Sequence, residues 1–184
     1  MLTPAHIATG YILSEVFINK FNLQGADNLL ITTLTMAGSL APDIDGLFGL
    51  QMKDHRKTVF HTPIFWCLFI LIIGLVGFFI NNVLIVISIA VFGSGIFFHL
   101  FLDWFSGRTA GIRIFYPFSK RQYSLFPLNP KKGAVSVFPN KKNIKKYREF
   151  MKYYFKNKFL VFTEILIILI AVFIWIRHPL LPVG

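Results

Sequence analysis

The sequence predicts an all-α fold, a polytopic membrane helical bundle of about five helices, the first two being either a short spanning pair or a re-entrant hairpin. Three observations carry that expectation. Of the 184 residues, 55% are apolar and only 15% charged, with a mean hydropathy of +0.62, which is a membrane composition. Three stretches, 63–80, 83–105 and 159–176, contain no acidic or basic residue except Asp103 and Glu164. Each approaches the roughly 20 residues that a helix needs to cross a bilayer core. Finally, fourteen of the nineteen Lys and Arg residues lie between Ser106 and Lys158, where the one acid is Glu149. A net charge of +11 spread over a soluble domain would point to nucleic acid; gathered into one loop, it points to topology.

Taken in order, the elements build one membrane domain over residues 1–184. The pattern from Thr3 to Ile18 suits a helix with Thr3 as N-cap, Pro4 at the first helical position and His6 in the first turn. This stretch has no basic residue before Lys20 and includes His6 and Glu15, so it reads as mature protein and not as a signal peptide. "FNLQGADN" ends the helix, and residues 28–41 form a short second one, closed by Pro42. A polar site loop, 42–62, leads into two long spans joined by Asn81 and Asn82 as a tight turn, so residues 62 and 106 emerge on one side. The basic loop, 106–157, ends in an amphipathic helix near 141–157, with Ile144, Tyr147, Met151, Tyr154 and Phe155 forming its apolar stripe. Lys and Arg on its other face suit contact with anionic lipid. The positive-inside rule places both loops in the cytoplasm, in a multi-pass cell-membrane protein. The single cysteine, Cys67, falls in a span and excludes an internal disulfide framework.

The polar residues are not scattered. His99 and Asp103, four apart, share a helix face near the end of a span. "APDIDG" offers Asp43 and Asp45 two apart, which places both carboxylates on one side if the segment is extended, as Pro42 encourages. "DHRKTVFHTP" adds Asp54, His55, Arg56 and His61. By the topology above these pieces, with His6, meet at one membrane face, where ionisable groups are costly and therefore informative. Imidazole and carboxylate ligands suit Zn, Mn or Fe. The expected ligands are His6, Asp43, Asp45, His61, His99 and Asp103, holding one or two divalent ions, Zn or Mn. His55 and Asp54 are the candidate bases or supporting groups, and Arg56 the candidate phosphate binder.

Five segments in order, "PAHIATG", "PDIDG", "HRKTVFHTP", "HLFLDWFS" and "GIRIFYPFS", resemble the predicted membrane-bound metal-dependent hydrolases of the YdjM type. The resemblance covers residues 4 to about 125 and assigns motif positions to His6, Asp43, Asp45, His55, Arg56, His61, His99 and Asp103. Two departures stand out: "HRKTVFHT" is one residue longer than the common spacing, and Ser106 stands where a Thr often follows the Asp. The resemblance implies hydrolysis but no substrate.

The expected function is therefore a membrane-bound metal-dependent hydrolase with its His/Asp centre at the cytoplasmic interface, acting on an ester or phosphoester of a lipid or lipid-linked substrate. A metal ion or proton transporter is the alternative, and would place its ligands near mid-span. A non-enzymatic membrane adaptor is a third reading; no recognition motif supports nucleic acid as its partner. The sequence is silent on oligomeric state.

Overall fold

The structure, a computed structural model, describes residues 2–48, 55–106, 111–126 and 144–178. Its helices are α1 (Thr3–Phe21), α2 (Ala26–Leu40), α3 (Pro63–Ile80), α4 (Val83–Phe105), α5 (Ile144–Phe155) and α6 (Lys158–Arg177), with short 3₁₀ helices at Ala41–Phe48 and Val59–His61. Among the described residues there is no strand, only one antiparallel bridge between Ile112 and Tyr123. Three helices are long and apolar enough to cross a membrane: α3, α4 and α6. Their exposed Phe78, Phe79, Leu71, Phe162 and Ile176 are the surface that lipid would cover, and Cys67 is exposed among them.

Helix α1 departs from expectation at both ends. Thr3 is already helical and Leu2 takes the cap position without a side-chain cap; the helix runs on to Phe21, where Asn22 turns left-handed at φ 50. The Leu2 N–H is satisfied instead by Glu164 Oε1 of α6, at 2.8 Å. That bond explains the one acid in an otherwise apolar span: it is buried against a helix start, where backbone donors lack partners. Helix α2 begins two residues earlier than predicted and passes directly into the 3₁₀ turn at Ala41.

Helices α1 and α2 are antiparallel, with Gly10 beside Ser39 and Ile18 packed with Ile31. Helix α2 then lies parallel to α4 in regular steps: Ile31 clusters with Val91, Thr35 meets Gly95, and Ser39 meets His99. Glycine is required for this approach. A Cβ on Gly38 would stand 2.2 Å from the Phe92 carbonyl oxygen, and one on Gly95 would stand 2.4 Å from that of Thr35. Small residues let membrane helices pack by close backbone contact, where lipid supplies no hydrophobic drive. Gly95, His99 and Asp103 recur every four residues, so the contact that admits α2 also fixes the polar face above it.

As expected, Asn81 is left-handed and Asn82 caps α4, its Oδ1 accepting from the N–H of Leu84 and Ile85. The basic helix is corrected in detail. Its buried face is Phe150 and Tyr154, while Ile144 and Phe155 of the predicted stripe are exposed; of its predicted range, residues 141–143 lie outside the described residues.

Gly95→Ala is expected to force α2 and α4 apart and to cost about 1–3 kcal/mol, as overpacking does, with loss of any retained metal. Gly74→Ala, where an added Cβ meets nothing within 4 Å, is the control. Thermal unfolding in detergent of both variants, with metal content, checks this.

Candidate metal centre

One end of the bundle gathers the start of α1, the end of α2, the loop before α3 and the end of α4. The 3₁₀ helix at Ala41–Phe48 changes how the aspartates work. An extended strand would set Asp43 and Asp45 on one side, but at three residues per turn they diverge. Asp43 turns toward His99 and His61, and Asp45 toward His55 and Thr58. His61 lies between them, with Nε2 3.4 Å from Asp43 Oδ1 and Nδ1 3.4 Å from Asp45 Oδ2.

The long His55–His61 interval is accounted for by the same geometry. Thr58 N–H donates to the His55 carbonyl, and His61 N–H to that of Thr58, so His55, Thr58 and His61 advance in three-residue turns and share a side. All three reach Asp45: His55 Nδ1 at 3.3 Å, the Thr58 hydroxyl donating at 2.5 Å, and His61 as above. Arg56 points elsewhere, its Nη2 donating to Asp103 Oδ1 at 2.5 Å. Trp66 Nε1 holds the loop from above by donating to the Phe60 carbonyl at 2.7 Å.

Asp43, His61, His99 and Asp103 bring one ligand atom each to within 4.8 Å of one another. His99 Nε2 is 3.5 Å from Asp43 Oδ1 and 3.6 Å from Asp103 Oδ2, and His61 Nε2 is 3.8 Å from Asp103 Oδ2. Two ligands about 2.1 Å from a shared tetrahedral ion stand about 3.4 Å apart, so these separations are those of a ligand shell. The orientation of His99 agrees. Its Nδ1 is 2.7 Å from the Ser39 carbonyl oxygen, which can only accept, so Nδ1 donates there and Nε2 is the nitrogen left facing Asp43 and Asp103. His99 Nε2 and both His61 nitrogens are buried and make no hydrogen bond. Buried polar atoms left this way are exceptional; a divalent cation fits this donor set.

His6 is where the topology argument put it, beside this four-residue group and not within it. Its ring stacks on His99 at 3.8 Å between centroids, and its Nε2 lies 3.5 Å from Asp103 Oδ1. Asp103 therefore divides its oxygens, Oδ1 toward Arg56 and His6 and Oδ2 toward His99 and His61. Asp54 lies outside the described residues. Ser106 spends its hydroxyl on the Leu102 carbonyl of its own helix.

Three contributors escaped the sequence reading. The Ser39 carbonyl has no residue-type signature, and Thr58 was passed over between two histidines. The third is the segment 111–126, quoted as a motif without a role. Ile112 packs in the core with Trp66, Ile96 and Leu100, and the N–H groups of Leu125 and Phe126 close the carbonyls of Trp104 and Phe105 at the end of α4. Arg113 Nη1 donates to the Lys57 carbonyl at 2.6 Å, bracing the loop that carries both histidines.

The model of the YdjM inner membrane protein family matches residues 1–180. The chain belongs to the YdjM inner membrane protein family. That match runs well past residue 125, where the resemblance ends, and takes in the basic loop and α6. No match was found among curated proteins or among solved structures. The family is one of inner membrane proteins, and the geometry of this YdjM member offers His and Asp groups that could hold a metal.

The charges in the loop are set by their neighbours. Burial opposes ionisation of Asp43, but His99, His61 and His6 together hold its carboxyl well below the usual range. Asp45 is likewise opposed by burial and held down to about 2 by His55, His61 and Thr58. Burial pushes the His55 imidazole down despite Asp45. Burial also opposes a charge on His61, yet Asp43 and Asp45 win and raise it to about 9. Without metal, His61 is thus an imidazolium between two carboxylates. Because its pKa is raised above the unfolded 6.5, that ion pairing stabilises fully below 6.5 and is lost as pH rises through about 9. A metal must displace this proton. Divalent-ion affinity should therefore climb about tenfold per pH unit between 6.5 and 9 and then flatten, as titration calorimetry in two buffers would show.

Proposed function

We propose that this YdjM protein is a metal-dependent hydrolase that cleaves an ester or phosphoester of a lipid or lipid-linked substrate, with a Zn or Mn ion held by Asp43, His61, His99 and Asp103. The observation that carries this is the convergence of four ligand atoms within 4.8 Å from three separate stretches of chain, with His99 Nε2 already facing Asp43 and Asp103. A bound divalent ion would supply Lewis acidity toward an ester oxygen and activation of water as nucleophile.

The surrounding residues supply the rest. Arg56 is 4% exposed, and its Nε and Nη1 are buried without hydrogen bonds while Nη2 is tied to Asp103. Such donors suit an anionic oxygen, which favours a phosphoester. His55 is able to accept the proton that leaves water and return it to the departing alcohol. Asp45 steadies His55 and His61 as a carboxylate behind imidazoles. Asp43 is the accessible member, its side chain 23% exposed against 1% for Asp103, so substrate would enter past it.

The substrate class follows from position. The cluster lies at the end of α4 that leaves the apolar span, and the distribution of Lys and Arg favours the cytoplasmic side for it. The exposed Lys145, Lys146, Arg148 and Lys152 of α5, flanked by exposed Ile144 and Phe155, suit anionic lipid headgroups. A transporter would need its ligands at mid-span, a placement that the end of α4 does not offer.

Purified wild type is expected to carry near-stoichiometric metal that Asp43→Ala and His99→Ala lack, by mass spectrometry, and to hydrolyse a generic phosphodiester. Full occupancy in both variants would sink the assignment. Arg56→Lys, which keeps charge but loses the planar fork, should lower phosphodiester kcat/KM by about 10²-fold. Carboxylester turnover should barely change.

A further inference from the structure

We propose a second cation position between Asp45, His55 and His61, so that the His61 ring lies between two ions and joins them. It rests on the first ion being held as described above. These three residues also bring ligand atoms to within 4.8 Å of one another, and all are buried.

His61 is the deciding residue. Its two nitrogens face opposite sides of the loop, Nε2 toward Asp43 and Asp103 and Nδ1 toward Asp45. Had Asp45 only oriented the ring, Nδ1–H would donate at the usual distance of about 2.9 Å. Instead the separation is 3.4 Å, and Nδ1 is buried with no hydrogen bond on a residue that is 0% exposed. The His55 ring stands edge-on to it, 87° and 4.7 Å away. Thr58 donates to Asp45 Oδ2, and Asp45 Oδ1 faces His55 Nδ1 at 3.3 Å. A cation there would take Asp45 Oδ1, His55 Nδ1 and His61 Nδ1, and His55 would then serve as a ligand in place of the base role it has in the one-ion centre. Three protein ligands with a position left open is the pattern of a catalytic site, not a structural one.

The charge balance gives this consequence for substrate. With one divalent ion, the three carboxylates are matched by that ion and Arg56, and the cluster is neutral. Joining two ions through His61 requires both ring nitrogens as ligands, so the ring gives up its remaining proton to solvent and becomes imidazolate. Three carboxylates and an imidazolate then face two divalent ions and Arg56, leaving one net positive charge. The two-ion centre therefore selects an anionic substrate, a phosphomonoester or phosphodiester group, over a neutral carboxylester.

The test is loading of the full-length, detergent-purified protein with Mn(II) alone. Two ions per chain are expected in wild type by mass spectrometry, with an exchange-coupled electron paramagnetic resonance spectrum. His55→Gln and Asp45→Asn should each retain one ion and show the hyperfine pattern of isolated Mn(II), with thermal unfolding confirming that they fold; either variant suffices if the other does not. One uncoupled ion in wild type, unchanged in these variants and lost in His99→Ala, would overturn the second position and leave the first standing. No bound ion in wild type would overturn both.

Discussion

Two helix backbones in contact, α2 against α4 at Gly38 and Gly95, set the distances on which the polar cluster depends. With ordinary side chains at those positions the helices would stand apart, and the Ser39 carbonyl would not reach His99 Nδ1 at 2.7 Å. That hydrogen bond fixes the ring and aims Nε2 at Asp43 and Asp103. The chemistry at the end of α4 is thus set one turn below it, by an apolar packing decision between membrane helices.

A second constraint is electrostatic. Three carboxylates, a guanidinium and four imidazoles are gathered here, all buried but Asp43. Each charge would be costly alone. The arrangement offsets the cost by dividing labour within residues: Asp103 turns one oxygen to Arg56 and one to the imidazoles, and Asp45 receives Thr58 and His55 on opposite oxygens. Glu164, the other buried carboxylate of the spans, is offset by the backbone at the start of α1.

Much of this was legible beforehand because it is written in residue type and period. The apolar runs, the Asn81–Asn82 turn, and the four-residue step from His99 to Asp103 depend on helical geometry alone, and they stand. Two spans joined by a tight turn were enough to bring Asp43, His61 and His99 to one end, with His6 there if the first helix is oriented to match. What the sequence hid was local: the 3₁₀ turn of "APDIDG" reads as extended because Pro42 discourages an α-helix, although proline is tolerated in a helical first turn. "HRKTVFHT" is one residue longer than the common family spacing, yet two successive hydrogen-bonded turns bring His55, Thr58 and His61 to Asp45. The Ser39 carbonyl and the reach of Arg113 belong to the backbone and to tertiary placement, which no residue pattern encodes. On α5, the stripe drawn by helical spacing holds at Tyr154, which is buried, but Phe150 outside it is buried as well, while Ile144 and Phe155 are exposed.

The brace from Arg113 to the Lys57 carbonyl has a mechanical side. Residue 113 belongs to the segment that opens the basic loop and is itself pinned at its base by Ile112 and by the positive φ of Gly111, where a side chain would collide with Tyr123. Lys57 lies just before Thr58, within the first of the two turns that bring both histidines to Asp45. Load applied to the 111–126 segment is transmitted through this hydrogen bond, and through the packing of Ile112 on Trp66, to the segment that sets the spacing of the imidazoles. The stretch that follows α4 and the polar centre are one lever.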